Sequence, residues 1–269
     1  MLIDFHTHCF NDKLAEKAIA KLSKAANIPP YTNGTVADTR AKMREWGVDI
    51  AVVHNITVTV PSQTHVNDFA IELLQYDDII PFGSVHPMSD TALDELDRLH
   101  DAGILGIKLH PEYQGFDIND RIAYPIYEKI AKLGMVMLFH GGWDAAYPES
   151  ERAVASKCAE FLDDFEGAKI VLAHLGGMMQ WENILNTIAG RDVYMDISML
   201  PGYCDPAIAK QIIDIHSHDK LLFGSDCPWC PVPRIHEFAS QLGLSDEDME
   251  KIHWKNAVNI LGIENRVKK

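Results

Sequence analysis

Eight short apolar runs recur along the chain, and their spacing is the strongest constraint on the fold. Each run is rich in Val, Ile, Leu, Met and Phe and closes on a polar residue. Runs of this kind are typical of strands that are buried on both faces, as in parallel sheets. Their polar ends step from His6 to Asp226 at about 31 residues per interval, which suits a strand, a helix and two loops. The predicted strands are residues 2–6, 49–55, 79–86, 104–110, 135–140, 169–174, 192–196 and 221–226.

The segments between these runs carry helical patterns. Leu93, Leu96 and Leu99 form one stripe, which is preceded by Ser89 and closed by Gly103. Further helices are predicted at 122–133, 149–165, 205–215 and, after a capping box that begins at residue 245, through residue 261. Strands and helices alternate without a break in composition, which predicts one α/β domain over residues 1–269.

Eight strands favour a closed (β/α)8 barrel, the TIM-barrel architecture, over an open doubly wound sheet. The open sheet is further disfavoured because no glycine-rich phosphate loop follows the first strand. Residues 11–39 are longer than one connection requires. They predict an extra helical segment after strand 1.

Composition limits the partners and the compartment. The chain has 269 residues and a formal net charge of -15, and this acidic balance opposes binding to nucleic acid or to an anionic membrane. The opening residues lack the pattern of a secretory signal, and the apolar runs are too short to span a bilayer. Five scattered cysteines suit a reducing cytoplasm. We therefore expect a cytoplasmic protein with a small-molecule substrate, and homo-oligomer formation stays open.

Polar residues at the strand ends predict a metal site. His6 and His8 lie two apart on a strand, so both imidazoles point to one face, and Asp4 is expected to continue that face. His140 and His174 end later strands and precede glycine pairs, and a carboxylate follows the last run at residue 226. Burying that carboxylate is costly unless it is paired or bound to metal.

These motifs resemble the amidohydrolase superfamily, and within it the branch that contains aminocarboxymuconate-semialdehyde decarboxylase and γ-resorcylate decarboxylase. The resemblance covers nearly the whole chain through IDFHTH, GIKLHPEYQGF, LFHGG, LAHLGG and FGSDCP. It implies that His6, His8, His140 and Asp226 are metal ligands. It places His174 beside the metal as an acid/base or polarising group.

The resemblance also bears on the substrate pocket. Lys108 matches the position at which two-metal members carry a bridging carboxylated lysine, but a single metal is usual in this branch, so we predict a lysine that lines the pocket. His110, Tyr113 and Trp143 follow predicted strands and are expected to contact substrate. Arg234 is a candidate partner for a substrate carboxylate.

The predicted chemistry is hydrolysis of an amide, ester or lactone by metal-activated water. The predicted cofactor is one Zn²⁺, because the ligand set is rich in imidazole, with Mn²⁺ or another transition metal as alternatives. Asp226 would accept a proton from water and His174 would stabilise the oxyanion, which makes these two the predicted catalytic residues. The rival is non-oxidative decarboxylation of a small aromatic or enol carboxylate with the same metal ligands.

Two further patterns are interpreted as incidental. Cys227 and Cys230 form a CxxC sequence without the rest of a thioredoxin-like pattern, so loop cysteines are favoured over a redox pair. His216 and His218 end a predicted helix, where side chains two apart diverge. We expect them to interact with the helix C-terminus rather than to bind metal.

Overall fold

Eight parallel strands alternate with helices, as predicted. The computed structural model describes residues 1–267, and none of their helices is long and apolar enough to cross a membrane. The strands β1–β8 are Ile3–Thr7, Ile50–His54, Ile79–Phe82, Gly106–Leu109, Val136–Phe139, Ile170–Leu172, Tyr194–Asp196 and Leu221–Leu222. The helices α1–α13 are Asp12–Ala26, Val36–Glu45, Gln63–Leu73, Ala92–Asp101, Pro111–Gln114, Tyr124–Lys132, Ala155–Asp164, Trp181–Thr187, Pro206–Ile215, Val232–Ala239, Asp246–Glu250, Asn256–Leu261 and Glu264–Val267. A π-helical turn, Lys251–Lys255, joins α11 to α12.

The strands form two ladders that meet at two seams. One ladder runs β1-β2-β3 and the other β4-β5-β6-β7-β8. At the first seam the Gly83 amide donates a hydrogen bond to the Gly106 carbonyl at 3.0 Å. At the second seam the Phe5 amide donates to the Phe223 carbonyl at 2.8 Å. The eight strands therefore follow one another in the order of a (β/α)8 barrel, with the first strand beside the last.

The buried core inside the strands explains why polar residues gather at one end. Alternate positions belong to an inner apolar cluster, which α12 also joins. Ile50 and Val52 are members, and the next residue on that face is His54. In the same way Leu138 leads to His140. Because side chains alternate along a strand, each inner face ends on a side chain at the carboxyl edge of the barrel.

The first strand departs from this alternation. Its register with β2 shifts between Asp4 and Thr7, and Ile3 and Phe5 join the inner cluster instead of Asp4. The Asp4 carboxylate accepts hydrogen bonds from the amide and hydroxyl of Ser225, at 2.9 and 2.5 Å. The expectation that Asp4 continues the face of the histidines is therefore wrong, because a β-bulge re-aims the side chains that follow it.

The extra segment after β1 is confirmed as helical. The Asn11 side chain caps α1 by accepting from the Lys13 amide, and the helix ends at Asn27 in the left-handed conformation with φ of 55°. Ala15 and Ile19 are its buried residues. With so little buried area, α1 lies at the edge of the fold over the carboxyl ends of the strands.

His216 differs from its prediction. It follows α9 but is buried, and its Nε2 donates to the Val193 carbonyl at 2.9 Å while its Nδ1 accepts from the Gly190 amide at 3.2 Å. Burial lowers the pKa of His216 to about 4. The side chain is thus a neutral bridge between loops, and it carries no positive charge to complement the helix C-terminus.

Candidate metal centre

A cavity of about 440 Å³ opens at the carboxyl ends of the strands, where barrels of this class hold their active sites. Tyr113 and Trp143 line it, as predicted, whereas Arg234 is exposed on α10 and does not belong to the lining. The inner end is lined by the polar residues His6, His8, His54, Lys108, His110, His140, His174 and Asp226. The structure thus collects the predicted site residues in one place, with Arg234 as the exception.

Three of the predicted ligands converge closely. The Oδ1 atom of Asp226 lies 3.0 Å from Nε2 of His8 and 3.5 Å from Nε2 of His6. All three donor atoms lie within 4.8 Å of one another. Two imidazole nitrogens and a carboxylate at this spacing form a donor set that suits Zn²⁺ or Mn²⁺.

The opposite nitrogens of both histidines are held by oxygen acceptors. Nδ1 of His6 donates to Oδ2 of Asp196 at 2.8 Å, and Nδ1 of His8 donates to the His54 carbonyl at 2.9 Å. Each bond holds the outer nitrogen of its ring and turns Nε2 toward Asp226. Metal-binding histidines are oriented by acceptors of this kind.

Asp196 is a site residue that sequence reasoning missed. Its Oδ1 accepts from the amides of His174 and Ser198, both at 3.0 Å, and from the Ser198 hydroxyl. The Ser198 oxygen also lies 2.9 Å from Nδ1 of His174. Asp196 closes the seventh predicted strand as Asp226 closes the eighth, and Ser198 follows on the same face, so the pattern that found Asp226 could have found both.

His140 contacts His174 rather than Asp226. Nδ1 of His140 lies 3.1 Å from Nε2 of His174, and Nε2 of His140 lies 3.3 Å from the Trp143 carbonyl. The structure therefore brings these two predicted site residues into direct contact through their ring nitrogens.

Lys108 lies among the proposed ligands. Its Nζ is 3.3 Å from Nε2 of His6, and the side chain is fully buried. Burial lowers the pKa of Lys108 to about 8. A lysine in this position belongs to the inner wall of the cavity, as predicted.

A second group of donors lies beside the first. The rings of His110 and His140 stack with centroids 4.2 Å apart, and Oδ2 of Asp144 lies 3.5 Å from Nε2 of His110. Burial raises the pKa of the neighbouring Glu112 to about 7, and Oε2 of Glu112 and Nδ1 of His110 have no hydrogen-bond partner among the described residues. Asp144 was also missed. It falls four residues after a strand-end histidine, in a loop that the strand pattern does not constrain.

The backbone is strained at both proposed catalytic residues. His174 and Asp226 have φ values of 59° and 65°, in the left-handed region. Residues other than glycine rarely adopt this conformation, and such strain clusters at active sites. Neither value is visible in the sequence.

The charges of the centre fit a divalent cation. Burial alone would raise the pKa of Asp226, but His6 and His8 outweigh it and hold the pKa well below its usual range. Burial, helped by the nearby Lys108 ammonium, keeps the pKa of His6 well below its usual value. An ionised carboxylate is the state in which Asp226 binds a metal.

The cysteines of the loop after β8 are held as neutral thiols. Cys227 and Cys230 are buried and free, and burial raises the pKa of Cys230 to about 12. A thiol that is not ionised is a poor nucleophile and a poor redox partner.

Comparisons with known proteins bear on the fold and the family. A dihydroorotase from Helicobacter pylori is 24% identical over an alignment of 173 residues that covers 54% of this chain and 51% of the dihydroorotase, so the chain spans about half the length of that curated relative. A TIM-barrel protein from Bordetella bronchiseptica superposes with a TM-score of 0.77 at 20% identity, covering 97% of this chain and 98% of the other. A dihydroxybenzoic acid decarboxylase from Polaromonas sp. JS666, solved with manganese and 2-nitroresorcinol, has a TM-score of 0.73 at 14% identity, covering 100% and 99% of the two chains. These structural likenesses confirm the barrel fold.

The family follows from a broader match. Residues 3–263 match the amidohydrolase family, and this range includes every proposed ligand. The resemblance inferred from the strand-end motifs is therefore confirmed, and the chain belongs to the amidohydrolase family.

Proposed function

We propose that the chain is a metal-dependent hydrolase of a small-molecule amide, ester or lactone. The observation that carries this proposal is the convergence of Asp226 on the free nitrogens of His6 and His8 at the inner end of the cavity. It combines a metal-binding set with a carboxylate that can accept a proton from water.

In this proposal His6, His8, His140 and Asp226 hold one divalent ion. Such an ion supplies Lewis-acid chemistry, since it polarises a carbonyl group and makes water more acidic. His140 would contribute its Nδ1, which now contacts His174, because its Nε2 is engaged by the Trp143 carbonyl.

The chain's own residues carry out the proton transfers. Asp226 would take a proton from the attacking water and give it to the leaving nitrogen or oxygen as the scissile bond breaks. His174, with its Nδ1 against Ser198 and the Asp196 carboxylate behind that serine, would in its protonated form present an Nε2–H to the oxyanion that develops on the substrate. The buried Asp196 charge stabilises the protonated ring, as an orienting carboxylate does in a catalytic triad.

Decarboxylation is the second candidate. It is supported by structural likeness to the manganese-bound dihydroxybenzoic acid decarboxylase over nearly the whole chain. It would use the same ligands, with the metal orienting a carboxylated substrate.

One experiment separates the two candidates. Protein reconstituted with Zn²⁺ or Mn²⁺ is incubated with panels of esters, lactones, amides and hydroxybenzoates, while acid release and CO2 release are both recorded. We expect acid release without CO2, abolished in Asp226→Asn. CO2 release from a hydroxybenzoate with no acid release from any ester, lactone or amide would replace hydrolysis with decarboxylation.

A further inference from the structure

We infer that the substrate carries its polarity only at the reacting group, and that the rest of the molecule is uncharged and apolar. This inference rests on the proposed function, because it takes the metal centre as the reacting end of the cavity. It starts from the side chains that line the remainder of the cavity.

The outer wall of the cavity is mainly apolar, and it contains no lysine or arginine among the described residues. The segment after β1 contributes Leu14, Leu22 and Ile28, and α3 contributes Val66 and Phe69. On α1, Leu22 and Ala26 share the face that buries Ala15 and Ile19, and Leu14 lies at the edge of that face. One face of the extra helix therefore both packs on the barrel and covers the cavity.

The apolar lining continues to the opening. Leu14 is 60% exposed and Val58 is 42% exposed, and both line the cavity. Large apolar side chains left in water beside a cavity are typical of a binding surface. A substrate that extends from the centre thus meets mainly hydrocarbon, and the polar side chains of the outer lining are Asn11, Asn55, Ser62 and His65.

Fixed positive charge is confined to the inner end. Among the described residues that line the cavity, Lys108 is the one lysine, and arginine is absent. Lys108 lies 3.3 Å from His6, inside the proposed metal set. The lining includes the carboxylates Asp144 and Asp226, which repel an anion. A second carboxylate on the substrate would lie against apolar atoms without a cation, which is unfavourable.

Two ligand series of equal length test this inference. Monocarboxylates from butanoate to octanoate place one carboxylate at the centre and a hydrocarbon chain along the wall. Dicarboxylates of the same length place a second charge on that wall. Binding to the metal-loaded protein is measured by intrinsic fluorescence, because Trp143 and Trp229 line the cavity. Each added methylene should tighten monocarboxylate binding about threefold to fourfold, and the dicarboxylates should bind at least about tenfold more weakly.

Matched variants locate the effect on α1. Leu22→Arg adds a cation to the wall and should strengthen dicarboxylate binding about tenfold relative to the monocarboxylate. Ala20→Arg adds the same charge to an exposed, non-lining position of α1 and should change neither series. If Leu22→Arg fails to fold, as judged by circular dichroism, Leu14→Arg at the exposed rim takes its place.

The outcomes separate this inference from the proposed function. Monocarboxylate affinity that does not depend on chain length, or dicarboxylates that bind as tightly as their partners, would overturn the inference even if esters are hydrolysed. Chain-length dependence in a protein that hydrolyses nothing would support the apolar site and contradict the hydrolase. Dicarboxylate binding that is lost in Arg234→Ala would show that the exposed arginine serves the cavity, which also overturns the inference.

Discussion

Asp196 accepts a hydrogen bond from Nδ1 of His6 across 2.8 Å, with both side chains almost fully shielded from water. The bond fixes the neutral tautomer of His6 and its ring orientation, so that Nε2 is presented to the metal centre. Through its other oxygen the same carboxylate holds His174 and Ser198. One buried acid therefore orients both a proposed ligand and a proposed catalytic residue.

We predict that Asp196→Asn weakens metal binding by about 10–100-fold, because outer acceptors of this kind tune ligand orientation and basicity. Affinity is measured by competition with a chromophoric chelator. Asp192→Asn is the control, since Asp192 pairs with Lys220 at the surface. Equal metal affinity in Asp196→Asn and the unmodified protein would contradict the orienting role.

Alanine substitutions of the site histidines should affect metal content and turnover differently, depending on the role of each histidine. We expect His6→Ala, His8→Ala and His140→Ala to lower both, because each is a proposed ligand. His174→Ala should retain its metal and lose roughly 100-fold or more in kcat, the scale of one acid/base or oxyanion group. Both quantities are measured on the same preparations. If His174→Ala loses metal as completely as His140→Ala does, His174 is a ligand and the division of roles is wrong.

The metal stoichiometry should be about one ion per chain, as the mononuclear ligand set requires. Lys108→Met should leave that ratio unchanged, because the lysine is predicted to line the pocket. Elemental analysis of the unmodified protein and of Lys108→Met measures the number of metal ions per chain. Two ions per chain that fall to one in Lys108→Met would instead make Lys108 a bridging ligand.

Stability should depend on pH through His216. Its pKa is about 4 in the folded chain and near 6.5 when unfolded, so between these values the unfolded state binds more protons. The free energy of unfolding should therefore fall as the pH drops from 6.5 to 4, by about 3 kcal/mol from this residue.

Denaturant titrations of His216→Asn across this pH range test the assignment. The variant should be less stable at pH 7.5, because the bonds to Val193 and Gly190 are disrupted, and its stability should fall less steeply below pH 6.5. His100→Asn is the matched control on an exposed histidine. A variant whose pH dependence equals that of the parent protein would exclude His216 as the source.

The barrel could be predicted from the chain because its information is local. Each strand is a short apolar run, and the polar residue that ends the run is the one whose side chain enters the site, as with His140 and Asp226. The runs carry no information about contacts between neighbouring strands or between strands and helices. The bulge that turns Asp4 away depends on pairing with β2, and the position of Arg234 depends on the direction in which α10 leaves the barrel.

Residues that act through others were the hardest to predict. Asp196 ends a predicted strand, but its role comes from His6, 190 positions away in sequence, and Asp144 lies in a loop and contacts His110. His216 is the opposite case. Its position after a helix predicted an interaction with the helix C-terminus, but in the structure it bonds to the Val193 carbonyl in another loop. Short-range patterns predicted the proposed metal ligands, whereas the partners that orient them required the folded chain.

The seam between β1 and β8 makes the centre a late product of folding. His6 and His8 come from the first strand and Asp226 from the loop after the last, and the neighbouring Asp4–Ser225 bond joins residues 221 positions apart. Contacts of such long range require closure of nearly the entire chain. During synthesis His6 and His8 therefore meet their carboxylate partner only after the last strand has formed. Tight metal binding would thus indicate that the barrel has closed.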